Sequence, residues 1–134
     1  MYKSDDLSGT VVLVHPNLLT DPANKKNQIG VIISADLEND NVLVSFGDEG
    51  VALFSSNALF ILREPDDIRH AALLDETLMP YPDFYDIMEA CTLAELSLHR
   101  EAIRMAMENP MVLEYAMDRL DYELGLNRHN GIGR

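Results

Sequence analysis

The hydrophobic period of this chain changes once, between Arg63 and Asp67, and no single class of secondary structure accommodates both sides of that change. Before it lie five short segments rich in β-branched and aromatic residues, near 10–14, 29–35, 42–46, 51–54 and 59–62. Segments of about five residues separated by turn formers predict strands of an all-β unit. Asp40-Asn41 and Gly47-Asp48-Glu49-Gly50 supply hairpin turns, and a long polar loop runs from His15 to Gln28. Alternation predicts an interior of Val12, Val14, Val31, Ile33, Val44, Phe46, Leu53 and Ile61, with a bulge able to shift a strand's parity by one residue.

After the change the apolar residues recur at helical spacing. Pro65-Asp66-Asp67 opens a helix with acids in its first turn, ending near Met79-Pro80. Phe84, Ile87, Met88 and Cys91 mark a second helix. Thr92 with Glu95 three residues on reads as a capping box that starts a third, running to Glu108. Asn109-Pro110 caps a last helix with Leu113, Met117, Leu120 and Leu124 on one face and Gly125 as its stop. The expected division is residues 1–64, 65–126 and a loose tail at 127–134.

A long loop after strand one, three meandering strands, a short turn and a final strand resemble the Src-homology-3-like superfold over residues 9–63. Gly30, with Val44-Ser45-Phe46 downstream, is similar to the glycine-centred core of KOW-type barrels. The resemblance implies a five-stranded SH3-like β-barrel there; with the helical spacing of the second half, the expected chain is α+β, the barrel followed by a helical domain of three to four helices. It also implies ligands such as peptides or RNA, although fold alone does not choose among them. Departures in this sequence disfavour both. Proline-rich peptides need an aromatic-lined groove, and the first loop offers only His15, Pro16, Leu18 and Leu19. Nucleic acid needs basic loops, whereas the hairpins carry Asp36, Glu38, Asp40, Asp48 and Glu49.

Charge extends that exclusion to the whole chain. The net charge is −13, spread over both halves, and such a field repels nucleic acid and anionic membrane. No apolar run approaches the roughly 18 residues that span a bilayer. The polar start of the chain shows no signal peptide, and Cys91 is the single cysteine, so the expected location is cytoplasmic.

Candidate chemistry is sparse. Asp36 to Asp40 alternates acids as a calcium loop does, but Asn41 and Gly47 stand where glycine and glutamate are required. His15, His70, His99 and His129 lack metal-ligand spacing. Cys91 falls on an apolar face, where a thiol behaves as a small hydrophobe. A helix–turn–helix reading of the last two helices fails because Glu114, Asp118 and Asp121 outnumber Arg119. No cofactor and no enzymatic activity are expected; a site at the barrel–helix junction would rest only on the tendency of pockets to form there.

The leading expectation is therefore a non-enzymatic interaction or scaffold module that self-associates or docks on a protein through its C-terminal helices. The alternative is an acidic antagonist, a nucleic-acid mimic or immunity-type inhibitor occupying a basic groove. Six of the seven methionines lie between Met79 and Met117, as core filler or as an adaptable surface. Read as one helix, residues 93–108 are apolar over roughly 220°, beyond the ~100° stripe that burying one face needs. Met111, Tyr115 and Tyr122 add a stripe on the last helix. Leu98, Met105, Met111, Tyr115 and Tyr122 are thus the candidate interface, with a two-fold homodimer as the simplest way to cover it.

Overall fold

The computed structural model describes residues 7–18, 21 and 23–125. The expected tail at 127–134, His129 included, lies outside the described residues. Among the described residues the chain is α+β: six strands in one antiparallel sheet, and five helices. Its strands are β1 (Val11–Val14), β2 (Ile29–Asp36), β3 (Asn41–Ser45), β4 (Val51–Phe54), β5 (Leu59–Leu62) and β6 (Met117–Arg119). The helices are α1 (Pro65–Leu74), α2 (Tyr81–Glu95), α3 (His99–Glu108), α4 (Pro110–Ala116) and α5 (Leu120–Glu123). Two compact units result, one joining residues up to Ile61 with those from Arg119 onward, the other Leu62–Asp118.

The sheet runs β4-β3-β2-β1-β5-β6 and is open, which corrects the expected closed five-stranded barrel. In the first unit Val12, Val14, Ile32, Val42, Val44, Phe54, Leu59 and Ile61 form the core with Leu120 of α5. Val12, Val14, Val44 and Ile61 lie inside as expected, whereas Ile33 and Leu53 are exposed and Val31 and Phe46 only half-buried. On β2 the inward positions are Gly30 and Ile32, and a register shift between Ile32 and Ser34 follows them. On β4 they are Ala52 and Phe54, because Ala52 lies opposite the buried Val44 and Phe54 opposite Val42. Gly30 permits a close approach: a Cβ there would meet Val44 Cγ1 at 2.5 Å and the Ser45 carbonyl oxygen at 3.0 Å.

In the second unit α2 packs against α1, α3 and α4. Buried alanines on those elements (Ala72, Ala90, Ala94, Ala102, Ala106 and Ala116) leave little side-chain bulk between backbones, and Ile68, Ile87, Ile103 and Val112 fill the remainder. Helix boundaries depart from expectation in two places. α2 runs through Thr92, whose hydroxyl donates to the Met88 carbonyl 3.1 Å away instead of capping a new helix. The break comes at Ser97, which adopts φ 63°. Its N–H donates to Ala94 O, and Leu98 N–H reaches back to Leu93 O, the paired bonds that end a helix in a left-handed turn. Glycine usually holds that position, so serine gave no signal of it.

The expected helix from Pro110 to Leu124 is likewise divided. Met117 is extended, with φ −126° and ψ 156°, and the chain forms β6 before α5 begins.

Candidate functional site

Residues brought together at the surface of the second unit lie on α2. At 3.6 residues per turn, Ile87, Ala90, Cys91 and Ala94 occupy the inner side, all buried. Tyr81, Tyr85, Met88, Thr92 and Leu96 follow one another along the opposite side, within an arc of about 100°. Tyr81 is 70% exposed, Tyr85 59% and Leu96 63%. The two tyrosine rings lie 6.1 Å apart between centroids. Tyr85, Met88, Glu89, Thr92 and Leu93 line a shallow groove of about 290 Å³. Leu74 and Leu78, in and after the last turn of α1, are exposed as well. Covering Leu96 alone would contribute about 1 kcal/mol or more, at the usual 25 cal/mol per Å² of apolar area. A helix already buried on one side gains nothing within its own fold from apolar residues on the other.

Polar contacts fix this helix in place. Asn109 accepts the Met111 N–H at 2.9 Å, so it caps α4 as expected. Its Nδ2 donates to Asp83 Oδ1 and Asp86 Oδ2, each at 3.1 Å, tying that cap to the first two turns of α2. At the other end Arg69 pairs with Glu95, and with Asp66 at 3.0 Å. The Cys91 thiol donates to the Pro65 carbonyl; burial pushes its pKa up, against the pull of the Arg69 guanidinium. That is the environment of an inert structural thiol.

The five residues expected to form one interface are divided between the two units, Tyr122 in the first and the other four in the second. Leu98 is the exposed residue preceding α3, while Met105 on α3 and Met111 on α4 are half-buried. Tyr115 is half-buried in α4, its hydroxyl donating to Asp75 Oδ2 at 2.7 Å, which raises its pKa to about 12. Tyr122 belongs to the first unit, where Arg119 stacks 4.1 Å from its ring centroid. Two premises behind that grouping fail. Residues 93–108 are not one helix, so the 220° arc does not exist, and α3 buries only Ala102, Ile103 and Ala106. Nor do Tyr115 and Tyr122 share a helix. The α2 stripe was missed because Phe84, Ile87 and Cys91 account for that helix as an ordinary core element. Tyr81, Tyr85 and Leu96 at i, i+4 and i+15 were the available signal.

Elsewhere, Asp36 to Asp40 is the β2–β3 hairpin, with Asp36 accepting from Asn39. His15 lies after β1; burial, then the Arg119 charge, lowers its pKa. Among the described residues, no three histidine, cysteine or carboxylate side chains converge as metal ligands, and no helix is long and apolar enough to cross a membrane. No protein-family model, curated protein or solved structure matches the chain.

Proposed function

We propose that the chain is a non-enzymatic interaction module whose helical unit docks on a protein partner through the outer side of α2. The stripe of exposed Tyr81, Tyr85 and Leu96 around half-buried Met88 carries this reading, since tyrosine and methionine are enriched at interface cores. Self-association through the same helices is the other form of the proposal. A cytoplasmic location belongs with it, supported by a single buried, unpaired cysteine. Kinship with SH3-like sheets is part of the reading too. It is supported by the order β4-β3-β2-β1-β5, a three-strand meander with β5 returning beside β1, and by the close approach over Gly30.

A second reading, an acidic antagonist that fills a basic groove, is favoured by charge. Residues 62–118 hold thirteen acids against four arginines. The two readings part under salt. In pull-downs with wild type and with Tyr85→Glu/Leu96→Glu, docking through α2 retains its partner at 0.1 and 0.5 M salt (Debye lengths of roughly 10 and 4 Å) and loses it in the variant. Retention that vanishes with salt and ignores the variant supports the antagonist instead. Light scattering checks self-association: a mass near twice 15.0 kDa supports it, and a mass of one chain at tens of micromolar removes it.

A further inference from the structure

The first unit has an open edge at β4, the terminal strand of the sheet on that side. Phe46 N–H donates to Gly50 O, and bonded pairs alternate from there along the antiparallel ladder. Val44↔Ala52 and Val42↔Phe54 are therefore the bonded pairs, while Ser45↔Val51 and Leu43↔Leu53 are not. It follows that Val51 and Leu53 direct their N–H and C=O groups away from β3, toward the open side. Their side chains are 58% and 62% exposed, while Ala52 and Phe54 turn inward. Natural edges are commonly blunted by lysine, proline or a bulge, and Val51-Ala52-Leu53-Phe54 has none of these.

We infer that β4 accepts an extended segment of a partner protein as an added strand, apolar at alternate positions and basic at both ends. Addition of a strand satisfies the outward backbone groups, and alternate side chains meet Val51 and Leu53. The charge at the strand's ends selects the occupant. Asp48 and Glu49 lead into β4, and Asp40 stands just past it, accepting the Ser56 N–H at 2.9 Å. Lys25 already pairs with Glu49 at 3.6 Å, whereas Asp48 has no ion pair among the described residues. A second copy pairing antiparallel would set Asp48 of one chain against Asp40 of the other at both ends, between molecules of charge −13. A basic-flanked segment meets opposite charge in the same places. This surface is independent of the α2 stripe.

The test uses the full chain, ¹⁵N-labelled, and the blocked synthetic peptide Lys-Lys-Val-Thr-Val-Thr-Val-Lys-Lys. Saturable binding is expected, with hydrogen exchange at the Val51 and Leu53 amides slowed about tenfold or more. A peptide with glutamate replacing lysine should bind about tenfold more weakly or worse. Leu53→Pro removes one outward donor without touching a bond to β3 and should cost about tenfold in affinity. Leu53→Lys, at a site exposed enough to preserve folding, should also weaken binding of the basic peptide, and Tyr85→Glu should leave it unchanged. Unchanged exchange at Val51 and Leu53, equal binding of the glutamate peptide, or loss of binding in Tyr85→Glu would overturn the inference.

Discussion

Gly30→Ala tests the packing of the sheet at its tightest point. The added methyl would sit 2.5 Å from Val44 Cγ1 and 2.9 Å from Phe46 Cε1. Carbon atoms pack best at about 3.5–4.0 Å, so the overlap with Val44 is about 1 Å. Val44 and the Ser45 carbonyl have no easy retreat. Val44 is fully buried, and Ser45, whose carbonyl lies 3.0 Å away, is held in register opposite Val31. Overpacking of this kind costs about 1–3 kcal/mol, offset by about 0.5–1 kcal/mol because alanine loses less backbone entropy than glycine. The net loss should be about 1–2 kcal/mol. With a urea m value of about 2 kcal/mol/M, the midpoint falls by about 0.5–1 M. It should be followed through amide signals of β1 and β2, since two compact units need not unfold together. Val44→Ala removes the methyl in conflict, so the alanine at position 30 should cost about 1 kcal/mol less in that background. A midpoint that does not fall, or strictly additive losses in the double mutant, would refute the reasoning.

Asn109→Asp keeps the capping acceptor but sets a third carboxylate beside Asp83 and Asp86. The variant should lose about 1–2 kcal/mol at pH 7 in urea titrations and recover most of it below about pH 4, because its folded pKa is raised and neutral Asp can donate. The Tyr115 phenol, held neutral by its bond to Asp75, has a folded pKa of about 12, above its ordinary value of 10.0. Its contribution to stability is complete below pH 10 and lost as pH rises toward 12; absorbance at 295 nm should show one tyrosine ionising last, and Tyr115→Phe should abolish that step. Ser97→Gly should raise stability by about 0.5–1 kcal/mol in the same urea assay, since glycine takes the φ of 63° without a Cβ penalty; a loss would mean that the serine side chain matters in a way its backbone does not reveal.

Elements with a local cause were legible in the sequence. The five strands from β1 to β5 fall within a residue or two of the apolar segments, and Asn109 caps α4 because Asn-Pro carries that instruction by itself. Facing was less legible. Val31, Ile33 and Leu53 alternate correctly along their strands, yet which parity points inward depends on the partner strand, and Gly30 contributes an inward position with no side chain to announce it. The candidate surface was hidden for a related reason. Tyr85 and Leu96 are apolar in the same sense as Ile87, and only the position of the neighbouring helices separates a core residue from an exposed one.

The end of α4 shows why an interface built from one long helix could not survive folding. Nothing in Ala116-Met117-Asp118 forbids a helix, and Leu113, Met117, Leu120 and Leu124 keep helical spacing through the break. The stop comes from Arg63, 52 residues before Tyr115 in the sequence. Arg63 donates its backbone N–H to Ala116 O at 2.8 Å and its guanidinium to Tyr115 O at 3.0 Å. Those are carbonyls that a terminating helix leaves unpartnered, so one arginine satisfies two acceptors that continuing the helix would have filled. Met117 then turns extended, and Leu120 enters the core of the first unit. Tyr122 goes with it, in a different unit and on a different helix from Met111 and Tyr115. Any partner of the helical unit must find its anchors within Leu62–Asp118, where Tyr81, Tyr85 and Leu96 are among the large apolar side chains left uncovered.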